Sequence, residues 1–132
     1  MLRIEHGWLP TACLILAPAG AASAGTKVLA TGSTFYSGSV IVDTICLVTN
    51  VGTKPVMIAN ARLQNYPSGS PPPTSDNCSG TPLAPDGSCA FSGSLGVYGG
   101  GRIEVQGSTK SLRGHCALHD PAGNAVQVLE LR

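Results

Sequence analysis

The chain has 132 residues, 42% of them hydrophobic and only 11% charged, with Gly 17 and Pro 10. That is one domain rather than two, built from short strands and turns rather than helices. The formal net charge is +1, from Lys+Arg 8 and Asp+Glu 7, with no basic run or stripe. Nucleic acid is excluded as an expected partner, because phosphate binding rests on clustered Lys and Arg.

The first 24 residues read as a signal peptide. Arg3 supplies positive charge, residues 9–19 an apolar core, and Ala22-Ser23-Ala24 a small-x-small cleavage signal before Gly25. A spanning helix needs ~20 apolar residues, so no transmembrane anchor is expected in the mature chain. The expected domain is therefore 25–132, in a secreted or periplasmic compartment. Thr11-Ala12-Cys13 also resembles a lipid-attachment site, but most of the apolar run follows the cysteine. Cys13 is expected to leave with the leader.

Cleavage leaves Cys46, Cys78, Cys89 and Cys116, an even number, which in an oxidising compartment implies two disulfides. Four cysteines allow three connectivities. Cys78 and Cys89 bracket a segment whose Pro82, Pro85, Asp86 and Gly87 can double the chain back, leaving Cys46 to pair with Cys116.

From Gly25 onward, residues 27–30 and 33–36 are short strand candidates separated by Gly32. Residues 43–63 then read as two strands around a tight turn at 50–53, with Cys46 in mid-strand as a staple between layers of a β-sandwich. Val40, Val42, Thr44, Cys46 and Val48 share one face, while Ile41, Ile45 and Leu47 share the other. This predicts a central strand, buried on both sides for part of its length.

Residues 64–77 form the irregular stretch. Pro71, Pro72 and Pro73 favour extended backbone without ladder hydrogen bonds, and Tyr66 would be the aromatic contact if this were a binding loop. A plain surface connection is the simpler expectation. Asn77-Cys78-Ser79 formally matches a glycosylation acceptor, but its middle residue is a half-cystine.

Residues 89–98 form a strand with poor alternation that ends at Gly99-Gly100-Gly101, read as a hairpin turn into 102–106. Ile103 and Val105 point one way there, and Arg102, Glu104 and Gln106 the other. Residues 112–119 and 125–132 make a last hairpin across 120–124, with Leu112, Gly114, Cys116 and Leu118 on one face.

The sequence His115-Cys116-Ala117-Leu118-His119 hints at copper or zinc. On a strand, however, the two histidines lie ~13 Å apart with Cys116 facing away from both. No G-x-S-x-G elbow is present, and the acids Asp43, Asp76, Asp86, Glu104, Asp120 and Glu130 are scattered singly. No catalytic residue, metal ligand or cofactor is therefore expected.

The run from Cys46 to Gly52 (CLVTNVG), the pair Asp76-Asn-Cys78-Ser-Gly and Leu83-Ala-Pro85-Asp-Gly-Ser-Cys89, and Lys110-Ser-Leu-Arg113 together resemble small exported bacterial immunoglobulin-like sandwiches. The stretch from Cys78 to Cys89 is also similar to a segment of the domains named after abnormal spindle, SPD and hydin proteins. The resemblance spans roughly 43–120. It implies an all-β immunoglobulin-like antiparallel sandwich of about seven strands and an exported location, and it carries no functional residues.

The sequence thus points to a non-enzymatic module with a binding or envelope-structural role, its partner another envelope or secreted protein. One rival is a fimbrial or adhesin subunit that completes its sheet with a neighbour's strand; a sheet closed by 125–132 argues against it. The other is a small metal-binding or hydrolytic protein, which needs histidines and acids converging in one pocket.

Overall fold

The computed structural model describes residues 25–32, 34–35, 43–64, 69–94 and 98–132. The expected leader with Cys13, the 40–42 part of the central strand, Tyr36, Gly38, Tyr66 and residues 95–97 lie outside the described residues.

All regular structure described is β. The strands are β1 (Thr26–Ala30), β2 (Thr34–Phe35), β3 (Asp43–Asn50), β4 (Val56–Leu63), β5 (Ser75–Asp76), β6 (Thr81–Leu83), β7 (Ser88–Gly93), β8 (Tyr98–Gly99), β9 (Gly101–Gln106), β10 (Leu112–His119) and β11 (Ala125–Glu130). Eleven strands are described, more than the seven or so expected; seven of them run five residues or more. They form a four-stranded sheet in the order β1-β9-β4-β6, a five-stranded sheet in the order β11-β10-β3-β7-β5, and the small pair β2-β8, all antiparallel.

The two larger sheets pack face to face. A side chain at Gly101 of β9 would come within 2.5 Å of the sulfurs of both Cys46 and Cys116, and one at Gly93 of β7 within 2.6 Å of Leu63 on β4. Between the sheets lie Val48, Ile58, Leu63, Phe91, Ile103, Val105 and the four half-cystines, all buried. Alternation predicts this set on most strands. On β4 the register shifts between Ile58 and Asn60, so Val56 and Ile58 face the core before the shift and Ala61 and Leu63 after it. An extra residue in one strand of a pair inverts the parity of all that follow.

Three expectations about the strands are corrected. Residues 43–63 are not a hairpin, because β3 and β4 belong to different sheets. The reason is that each strand has one buried face, and the two faces are satisfied against each other across the core rather than side by side. Second, β3 is central but not buried on both faces: Cys46 and Val48 are fully buried, whereas Ile45 and Leu47 are exposed. Third, Gly99-Gly100-Gly101 is not a turn; Gly99 ends β8 and Gly101 begins β9. None of the three has positive φ. What Gly101 supplies is close approach, letting β9 pass over the Cys46–Cys116 bridge.

Both expected disulfides form, with Cα separations of 4.0 Å for Cys46–Cys116 and 5.1 Å for Cys78–Cys89. Cys46–Cys116 links directly opposed residues of neighbouring strands in one sheet, and is not the staple between layers that its mid-strand position suggested. The Leu131 amide donates to the Gly114 carbonyl, so alternate residues Gly114 and Cys116 bond toward β11. Cys46 and Cys116 therefore occupy a pair without mutual backbone hydrogen bonds, where opposed Cα atoms lie closest. Cys78–Cys89 ties the crossover between the layers to β7. Cys89 lies on β7 of the five-stranded sheet, and Cys78 lies where the chain leaves β5 for β6: Asn77 before it bonds to Ala90 of β7, while Ser79 and Gly80 after it bond to β4 of the other sheet, through Ala61 N to Ser79 Oγ at 2.7 Å and Gly80 N to the Ile58 carbonyl at 2.8 Å.

The corner between β3 and β4 is built on Asn50, which is fully buried. Its side-chain amide donates to the carbonyls of Lys54 (2.8 Å) and Leu83 (3.0 Å), and its Oδ1 accepts from the Gly52 amide (3.0 Å). Its backbone pairs with Gly87 and Asp86. One side chain thus satisfies the corner's inward polar groups and ties β3 to β6 of the opposite sheet.

Candidate functional site

Strand periodicity places every second residue of β3, β7, β10 and β11 on the solvent side of the five-stranded sheet. The cross-strand register aligns Ser92, Ile45, Ala117 and Val128 in one row, and Ala90, Leu47, His115 and Glu130 in the next. Three large apolar side chains stand open on this face: Ile45 (42% exposed), Leu47 (38%) and Val128 (61%).

Beside them lies a shallow depression of about 440 Å³ lined by Leu47, Thr49, Arg113, His115, Glu130 and Leu131. Arg113 is held by Nη1 donating to the carbonyls of Lys110 (2.9 Å) and Leu112 (2.8 Å). Glu130 Oε2 accepts from Arg132 Nη2 at 2.8 Å. The patch is thus an apolar row rimmed by charges that are partly engaged, a composition suited to a protein surface. A second depression of similar size lies between the β3–β4 corner and the β9–β10 connection, lined by Gly52, Lys54, Pro55, Gln106, Ser108 and Ser111.

The sequence-level metal candidates separate as the strand period predicts. His115 and His119 lie on the outer side of β10, exposed and half-buried, while Cys116 is fully buried on the inner side and covalently bound to Cys46. A disulfide sulfur has no thiolate to offer a metal. No cluster of His, Cys, Asp and Glu able to hold a metal ion is found among the described residues.

Two of the carboxylates, Asp76 and Asp120, go to local structure. Asp76 Oδ1 accepts from the amides of Cys78 and Ser79, presenting the disulfide loop. Asp120 Oδ1 accepts from the amides of Ala122 and Asn124, and Oδ2 from the Asn124 side chain. These bonds, the Asn124 backbone first and its side chain second, hold the Asp120 carboxyl below the ordinary carboxylate range. Among the described residues no hydrogen bond joins a serine or threonine hydroxyl to a histidine or carboxylate. Asn77, the formal acceptor position, uses Oδ1 to accept from the Ala90 amide at 2.6 Å.

The described part of the 64–77 segment, residues 64 and 69–77, is less irregular than its composition suggested. Ser75–Asp76 pairs with β7, and the Leu63 amide donates to the Pro71 carbonyl, so Pro71 is accommodated where only its acceptor is used. The outer-face patch was missed in the sequence because Ile45 and Leu47 read as a second core face. Compared with models of protein families, with curated proteins and with solved structures, the chain matches none.

Proposed function

We propose that this chain is an exported, non-enzymatic β-sandwich module of immunoglobulin-like type that binds another envelope or secreted protein through the outer face of its five-stranded sheet. The observation that carries this reading is that Ile45, Leu47 and Val128 are left exposed in adjacent rows on a sheet whose other face buries Cys46, Val48, Phe91, Cys116 and Leu118. Interaction surfaces are where a small domain tolerates exposed apolar side chains in adjacent rows. Two disulfides fit an oxidising compartment, and the small-x-small signal before Gly25 supports export.

The test is chemical cross-linking in the cell envelope and culture medium, comparing the wild type with Ile45→Glu/Leu47→Glu. Both side chains leave the core untouched, so the variant is expected to fold normally and lose its cross-linked partner. Identical cross-linked products from the two proteins refute the assignment of the face. N-terminal sequencing of the exported form is expected to start at Gly25; an intact Met1 terminus refutes export by this leader.

A further inference from the structure

Sheet edges carry unpaired backbone groups that recruit other strands unless they are shortened, charged or interrupted by proline. Three of the four edges of the two larger sheets described here are protected in those ways. β5 has two residues, one of them Asp76; β6 has three, including Pro82; β1 carries Lys27 and has its far end tied down by paired bonds between Ala30 and Arg132, at 3.0 and 3.2 Å. β11, AVQVLE, is different. It has no proline or lysine, and its one charge, Glu130, is engaged by Arg132.

The hydrogen-bond direction on β11 follows from one bond. The Leu131 amide donates to Gly114 on β10, so alternation turns the amides and carbonyls of Glu130 and Val128 to the open side. Arg132 confirms the parity, because its outward amide and carbonyl are the groups that meet Ala30. A strand position therefore exists alongside β11. It is filled at Arg132 by Ala30, and among the described residues no strand continues it past Glu130 and Val128.

We infer that a second copy of this chain fills that position, β11 pairing antiparallel with β11 about a two-fold axis near Val128. A two-fold pairing needs an edge that complements itself, and a short, nearly uncharged valine-rich strand does so. The formal net charge of +1 leaves two copies with little mutual repulsion. The pairing also covers the flank of Val128, the most exposed of the large apolar side chains described. It joins the Ile45–Ala117–Val128 rows of the two copies into one strip. This extends the binding role proposed above, but it is read by mass rather than by capture of a partner, so either reading can fail alone.

Sedimentation velocity of the disulfide-bonded mature domain over a dilution series is the test. The wild type is expected to show twice the monomer mass at high concentration and to dissociate on dilution. Val128→Pro removes an outward amide rather than a hydrogen bond to β10, and Val128→Lys adds a charge to the edge; both are expected to be monomers at every concentration. Wild-type protein that stays monomeric overturns the inference, as does Val128→Lys that still doubles in mass. Should Val128→Pro not fold, hydrogen exchange of the wild type decides: the Val128 and Glu130 amides are expected to be protected at high concentration and to exchange freely after dilution. Equal exchange at both concentrations overturns it.

Discussion

Removing the Asn50 side chain tests the corner on which the two sheets turn. Asn50→Ala deletes two donated bonds and one accepted bond at a fully buried site. At a net ~1 kcal/mol per bond, the loss comes to about 3 kcal/mol. In a domain of this size each kcal/mol is worth about 4 °C, so the thermal midpoint should fall by about 12 °C. Urea unfolding at neutral pH, with the disulfides intact, measures the free-energy loss directly; the slope should be unchanged while the urea midpoint moves. Asn50→Asp separates hydrogen bonding from volume. It keeps the acceptor for the Gly52 amide but sets a carboxylate against the Lys54 and Leu83 carbonyls, and it should destabilise at least as much as alanine. A cost below about 1 kcal/mol for alanine, or an aspartate variant as stable as the wild type, would refute the account of the corner.

The two bridges should differ in worth. Replacing Cys78 and Cys89 together by alanine opens a loop of sequence separation 11 and is expected to lose about 3 kcal/mol, while replacing Cys46 and Cys116 opens one of 70 and should lose about 4. A reversed order in urea melts would contradict the loop-length argument. Gly101→Ala puts a methyl group into the space of two sulfurs and the Phe91 ring, at an expected cost of about 1–3 kcal/mol; an alanine variant as stable as wild type would show that β9 does not pack that closely. In an NMR pH titration Asp120 should titrate below its ordinary 3.8, and Asn124→Ala should move it upward. Because its folded pKa is the depressed one, the turn's contribution is present above the unfolded value and lost as pH falls through the folded one. A midpoint at or above 3.8 would show that the Asn124 bonds do not persist in solution.

Much of the architecture is written in local pattern. β-branched runs, the alternation of Ile103 and Val105 on β9 and the Asp120–Asn124 turn before β11 announce strands and a hairpin because they depend only on near neighbours. The disulfide partners were legible too, since turn residues between Cys78 and Cys89 left one pairing for Cys46. What misled was sidedness: Ile45 and Leu47 look like core on a strand that also carries Cys46 and Val48. Alternation says that two faces differ, but not which one meets water.

The amino-acid sequence by itself thus determined an all-β protein, its four half-cystines and the position of most strands, because strand propensity and side-chain parity are properties of short stretches. Only the tertiary structure decided that β3 and β4 part company at Asn50 into different sheets and that Cys46–Cys116 lies within one sheet while Cys78–Cys89 ties the β5–β6 crossover to β7. It also decided that the apolar row ending at Val128 faces solvent. These depend on which distant strands become neighbours, and that is chosen by packing two complementary faces over the whole domain rather than by any single segment.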